Sequence, residues 1–269
     1  MSERIPSGPL RRESAVRVLL RRARAENSAG RPGRACAVLR RAVAIDPGAI
    51  AARVGLADCL RDVYRLAEAR EVLETGLEAA RRRGDERGFV ACGNRLAALL
   101  VRRRELADAR ELLQRVIRAD LDERGALSAL TLVNLSAAMR GRWSLARRWR
   151  LLRGATRIAK RVDRVTVLRA TGRLMLEVDD VDASLRAFEE AARVARRVKL
   201  PPARKAAVLA DQGLALVKAG RYVVAVGVLR SAARLHQRVG NERWARRLLR
   251  LARRVRRAQR RLGEIAESN

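Results

Sequence analysis

The sequence predicts an all-α protein: a stack of about six helix pairs closed by a basic C-terminal helix. Three observations predict it. Hydrophobic residues make up 48% of the 269-residue chain but aromatics only 3%, which suits helices packed through small and aliphatic side chains better than a sandwich or barrel. "LAEAREVL" (66–73) and "LADARELL" (106–113) open two amphipathic helices 40 residues apart, and self-similarity at such a period marks a repeat array. Finally, "NERWARRLLRLARRVRRAQRRLGE" sets Trp244, Leu248, Leu251, Val255, Ala258 and Leu262 at steps of four and three, the stripe of one helix face.

The pairs follow in order. The first, from Val16, carries Leu19, Ala23, Gly30, Ala35, Leu39, Ala42 and Pro47. The second, from Ile50, carries Leu56, Ala57, Leu60, Ala69, Leu73 and Gly76. The third, from about Val90, has Leu96, Ala97, Leu100, Ala109, Leu113 and Val116. The fifth, from about Val165, has Leu168, Gly172, Met175, Ser184, Phe188 and Ala191, and the sixth, from about Ala206, has Leu209, Gly213, Leu216, Gly220, Ala225, Leu229 and Ala232. In each, small residues fall where two helices must approach closely, and a large apolar residue follows four positions after the second small one.

These rows resemble the tetratricopeptide repeat over roughly residues 12 to 238. The resemblance implies a right-handed α-solenoid. Small residues let the first helix (A) and second helix (B) of a pair approach, and the bulky residue fills space against the next pair. Units of about 34 to 41 residues resemble bacterial members of that superfamily. The resemblance also implies a concave face lined by the A helices that takes a peptide or protein. Its groove positions correspond here to Arg24, Asp58, Arg61, Asn94, Arg102, Arg140, Arg169 and Arg173. The Lys/Asn/Arg set with which one subset of the family grips a C-terminal carboxylate is not matched, since Leu20 and Val54 stand at two of its places. On the groove expectation, Arg169 and Arg173 reversed to Glu abolish partner capture at unchanged melting temperature.

The fourth pair lies within "RGRWSLARRWRLLRGATRIAKR" (140–161) and the residues before it. A start at Ala129 puts Leu132, Leu135, Ser136, Met139, Leu152 and Ala155 at the expected positions, and Arg148 where a small residue belongs. At 100° per residue, Leu145, Trp149, Leu152, Ala155 and Ala159 form one stripe. Arg150, Arg153, Arg157, Lys160 and Arg161 lie opposite, with Arg147 at their margin. Trp149 is therefore expected in the core, and Trp143 in the turn before the helix. The domain limits expected are a tail over 1–11, the array over 12–238, a basic amphipathic capping helix over 239–263 and a tail over 264–269. A cap covers the last apolar face of a repeat stack and turns a polar face outward.

Charge bounds the partners. Lys and Arg total 61 against 29 Asp and Glu, a net charge of +32, and only four of the 61 are lysine. Such an excess calls for an acidic protein, nucleic acid or an anionic membrane surface. The cations concentrate in 124–162 and 241–261, whereas 46–90 hold nine acids and eight bases. The basic patch comprises Arg147, Arg150, Arg153, Arg157, Lys160 and Arg161, with Arg250, Arg253, Arg254, Arg256 and Arg257 on the last helix. That helix also suits phosphates, an anionic membrane or, through its apolar seam, a second copy of the chain.

Catalytic signatures are missing. There is no HExxH, GxxxxGK[ST] or GxGxxG, and His236 is the one histidine. It is expected on the surface. Cys36, Cys59 and Cys92 lack metal-ligand spacing and are expected to be small buried thiols of a reducing compartment. The acids of "EVDDVD" (177–182) fall at a turn, where Asp caps the next helix. The longest uncharged run, Gly125–Met139, is short of the ~20 residues that span a bilayer. No enzyme, metal or cofactor is expected. The expectation is a cytoplasmic interaction scaffold for an acidic protein or peptide. Sequence-nonspecific nucleic-acid binding and a regulatory subunit of a larger complex stand as alternatives.

Overall fold

A computed structural model describes residues 8–121 and 127–267. The first residues of the expected N-terminal tail, the start of the 125–139 run and residues 268–269 lie outside them. Thirteen α-helices and no strand occur among the described residues. The chain divides into two compact units.

The first unit, ending at Trp143, holds α1 (Pro9–Ser28), α2 (Pro32–Ile45), α3 (Ile50–Asp62), α4 (Leu66–Arg82), α5 (Glu86–Arg103), α6 (Leu106–Asp120) and α7 (Ala129–Ala138). The second begins at Ser144. It holds α8 (Leu145–Ile158), α9 (Arg161–Glu177), α10 (Val181–Arg197), α11 (Pro202–Lys218), α12 (Tyr222–Arg238) and α13 (Glu242–Glu267). Within each unit consecutive helices pack on one another, and A helices also meet: α3 with α5, α5 with α7, α9 with α11. The all-α solenoid is thus the observed fold. The fourth pair is divided, with α7 in the first unit and α8 in the second.

Burial follows the repeat register. Ala23, Ala57, Ala97, Ser136, Gly172 and Gly213 are all buried on the A helices. Ala35, Ala69, Ala109, Ser184 and Ala225 are sealed on the B helices, as are Leu39, Leu73, Leu113, Leu152, Phe188 and Leu229. Phe188 and Leu229 meet the A helix of their own pair, whereas Leu39 also reaches Gly55 on the A helix of the next pair. A Cβ on Gly172 would lie 2.7 Å from Phe188 Cε1, and one on Gly213 2.7 Å from Leu229 Cδ2. Such contact is possible only where the A helix presents no side chain.

Arg148 is the exception in this register, and it too is buried, at 6% exposure. Within the second unit its neighbour is the C-terminal end of α9, where Arg148 Nη1 donates to Glu177 Oε2 at 2.8 Å. Without that carboxylate, taking a guanidinium out of water would cost several kcal/mol. The buried stripe of α8 is therefore Arg148, Leu152 and Ala155, followed by Ala159. Leu145 is exposed and Trp149 only half-buried, a correction to the expected stripe at its first turn, where Arg148 takes their place.

Turns are equally regular. The residue at the A-to-B turn is left-handed in every pair: Gly30, Tyr64, Arg104, Gly141, Asp179 and Gly220, with φ from 62° to 78°. Asp180 caps α10, its Oδ1 accepting from Ala183 N at 2.9 Å, as expected of that acidic turn. Its neighbour Asp179 pairs with Lys218 Nζ at 2.7 Å.

Candidate functional site

The expected groove residues sit on, or directly after, the A helices. In the first unit, Asp58 on α3 receives two guanidiniums. Arg61 Nη1 lies 2.9 Å from Asp58 Oδ1, and Arg95 Nε on α5 lies 3.4 Å from Asp58 Oδ2. Arg61 also reaches the buried Asp62 at 3.3 Å. Arg102 is exposed, with its guanidinium carbon 4.7 Å from the Tyr64 ring centroid, a cation–π placement. Arg24 and Arg140 are exposed as well.

Asn94 does not belong to this surface. It is 3% exposed. Its Nδ2 donates to Thr131 Oγ1 at 2.9 Å, and Asn134 Nδ2 donates to its backbone O and its Oδ1 at 2.8 and 2.9 Å. Thr131 in turn donates to Asp120 Oδ2. These bonds tie α5 to α7 through groups that have left water and must be satisfied internally. Asn94 is a structural polar residue, and its repeat position alone could not distinguish that from a ligand contact.

The second unit repeats the arrangement of two arginines on one carboxylate. Asp211 on α11 is 8% exposed. Arg169 Nε on α9 donates to its Oδ2 at 2.8 Å, and Arg173 Nη2 to its Oδ1 at 2.9 Å and its Oδ2 at 3.0 Å. Arg169 is half-buried and Arg173 exposed. Reversing both to Glu would set three carboxylates together around a buried position, so the melting temperature falls. That overturns the expectation of an unchanged one.

Arg95 and Asp211 were missed as site residues. The signal was the repeat itself. Asp58 and Arg95 are 37 residues apart, and Asp211 is 38 from Arg173 and 42 from Arg169. Opposite charges one repeat apart on A helices face each other across neighbouring pairs.

The expected basic patch falls on α8, the start of α9 and α13 in the second unit. Arg147, Arg150, Arg153 and Arg157 of α8 are exposed, as are Lys160 and Arg161 at the start of α9. On α13, Arg250, Arg253, Arg254, Arg256 and Arg257 are exposed. The seam of α13 is spent on the chain itself. Leu248, Ala252 and Val255 are buried in one cluster with Leu229, Ala232 and Ala233 of α12. Ala258 is exposed, and Leu262 is 51% exposed. α12 thus covers the seam as far as Val255, and only its last part, Ala258 and Leu262, stays open.

The remaining titratable groups are internal. His236 is 2% exposed, not at the surface. Its Nδ1 is 3.4 Å from Asn241 Nδ2, and its ring centroid 6.4 Å from that of Trp244. Those three residues join the end of α12 to the start of α13. All three cysteines are free and buried. Cys59 Sγ donates to Pro32 O at 3.1 Å. Burial pushes the Cys92 thiol up to about 11, so at neutral pH it is a protonated space-filler. No described helix is long and apolar enough to cross a membrane.

A tetratricopeptide repeat family model matches residues 27–91. No curated protein matches the chain. Among solved structures, the chain is similar to one in the APC/C hetero-tetramer Cut9–Hcn1, with TM-score 0.58 and 13% identity, over 87% of this chain and 45% of that one. It thus spans less than half the length of that protein. It is also similar to a Rap protein complexed with Competence and Sporulation Factor, with TM-score 0.58 and 11% identity, over 91% of this chain and 75% of the other. The apo form of RapI aligns at TM-score 0.52 and 12% identity, over 91% of this chain and 99% of that one. At these identities the likeness is one of fold. Residues 27–91 thus match the tetratricopeptide repeat model, and the rest of the chain shares with these structures a helical-repeat fold.

Proposed function

We propose that the chain is a non-enzymatic adaptor whose A-helix faces bind an acidic protein or peptide. One observation carries this reading: arginines from neighbouring A helices gather in both units, Arg61 and Arg95 around Asp58 and Asp62, and Arg169 and Arg173 around the single carboxylate of Asp211. Each cluster concentrates positive charge on the A-helix side of its unit. Arginine forks pair with carboxylates bidentately, so a partner rich in Asp and Glu matches this charge. The exposed Arg24, Arg102 and Arg140 extend the same charge in the first unit. The Rap protein of similar fold holds its factor in a complex, which supports a ligand-bearing role for such an array.

The test is fluorescence anisotropy with a labelled Glu-rich peptide against a Gln-rich peptide of equal length. The acidic peptide should bind, more weakly as salt rises. The triple substitution Arg24→Ala, Arg102→Ala and Arg140→Ala should weaken it about tenfold or more, because charge-assisted hydrogen bonds contribute about 1.5–3 kcal/mol each. Equal affinity for both peptides, or an unaffected triple variant, would remove the acidic ligand.

A second reading rests on α13, where ten arginines and no acid occur from Arg243 to Arg261. A solvated face of that density suits phosphates without base readout. Replacing Arg253, Arg254, Arg256 and Arg257 by Gln should then flatten the salt dependence of RNA or DNA binding, by nearly one unit of slope for each phosphate that is no longer neutralised. An unchanged slope takes α13 out of any such site.

A further inference from the structure

The second unit contains a cleft of about 500 Å³ that neither reading uses. It lies where the first turn of α9 meets the last turns of the antiparallel α10. The sequence explains its lining. Arg161 and Arg164 are three apart on α9, and Arg193 and Arg197 four apart on α10, so each pair shares one helix face. Glu190 stands one turn before Arg193 and Arg197 and is the one acid lining the cleft. It is engaged by Arg164, whose Nη2 donates to Glu190 Oε1 at 2.6 Å and whose Nε lies 3.3 Å from the same oxygen. Val194 and Val198, half-buried, give the cleft an apolar wall.

The side-chain charge is four guanidiniums less one carboxylate, or +3. The N-terminal dipole of α9 is positive and the C-terminal dipole of α10 negative. Those two ends offset each other, so the guanidiniums carry the attraction. Four like charges around a recess raise one another's energy, and an anion in it relieves that repulsion. A phosphate monoester brings about −1.5 to −2 near neutral pH, short of +3. Charge balance therefore calls for more than one phosphate group. The volume falls within the range of about 300–1,000 Å³ that small-molecule sites occupy.

We propose that this cleft binds an anion carrying two or more phosphate groups. Arg161, Arg193 and Arg197 make the direct contacts, and Arg164 is shared between the ligand and Glu190. Two sources offer this chemistry: free inorganic pyrophosphate, or a nucleotide whose organic part lies along Val194 and Val198.

The experiment is calorimetric titration of the full chain with inorganic pyrophosphate and with ADP, at fixed ionic strength, beside chloride and sulfate controls. Saturable binding of pyrophosphate is expected, with sulfate far weaker. Arg193→Ala with Arg197→Ala should weaken it by about tenfold for each guanidinium removed. Both residues are exposed, and circular dichroism would check that the helices persist. Glu190→Gln should act in the opposite direction, tightening binding by freeing Arg164 and adding charge. ADP binding at least as tightly as pyrophosphate, and competing with it, would mark a nucleotide as the source. Tighter pyrophosphate would mark the free anion. Sulfate binding as well as pyrophosphate, or full binding in the Arg193/Arg197 double variant, would overturn the proposal. So would an equal loss on substituting Arg253 and Arg254 of α13, because the attraction would then belong to the surface at large.

Discussion

Arg104 shows how a repeat rule acts on a single residue. Its φ of 67° is the left-handed turn that Gly30, Gly141 and Gly220 adopt in other pairs, and its N–H closes the end of α5 on Leu100 and Val101 carbonyls. An L-residue there costs about 1–2 kcal/mol, partly offset by the greater unfolded-state freedom of glycine, about 0.4–1 kcal/mol. Arg104→Gly should therefore raise the unfolding free energy by roughly 0.5–1 kcal/mol, read from the denaturant midpoint. A lower midpoint would mean that the Arg104 side chain contributes more than its backbone costs. The three glycines made half of these turns legible in the sequence. The acidic run 177–182 marked a fourth, at Asp179, whereas Tyr64 and Arg104 were not legible, because a positive φ forced by its surroundings leaves no mark on such residue types. Asp211 was hidden differently. It sits in an apolar run, and only its distance from Arg169 and Arg173, one repeat away, signals its partners.

At the scale of the element, close contact within a pair dominates. Phe188 is fully buried and occupies the space left by the missing side chain of Gly172. Alanine has the better helix propensity by about 1 kcal/mol. Overpacking a filled core costs about 1–3 kcal/mol, and with Phe188 enclosed the ring has nowhere to go. Gly172→Ala should thus lower stability by about 1–2 kcal/mol net, and Gly172→Ala with Phe188→Leu should recover part of it, as measured by thermal melts. A stabilised single variant would show that α9 and α10 can separate slightly at no cost. The pairs were legible because small and large residues recur at fixed offsets. The first turn of α8 was not, because helical periodicity assigns a stripe by apolar character and Arg148 is buried by its charge partner. The cap α13 was legible in its spacing, but which part of that spacing is covered depends on where α12 ends.

For the whole molecule, the division at Trp143 and Ser144 matters most. One core cluster of the first unit runs from Val16 to Ala138, and two of the second lie between Val165 and Val255. Repeat arrays are held by nearest-neighbour packing, so each unit carries what it needs to fold. A fragment of residues 1–143 and one of 144–269 should each show helical circular dichroism and a cooperative melt. A fragment that stays unfolded would show that its core depends on the other. The one mark of this division in the sequence is the irregular fourth pair, with Arg148 where a small residue belongs, and its two helices fall into different units.

The covering of α12 by α13 also bears on how such a chain can change over generations. Through Val255, α13 does what α11 does for α10: it lays an A-type face, with Ala245 and Ala252 as its small residues, over the preceding B helix. A duplicated pair inserted ahead of Glu242 would end in a B helix of the kind α13 already fits. The number of repeats can therefore drift by recombination while the lid stays the same, and ancestry would be written in the count of pairs sooner than in the residues of the final helix.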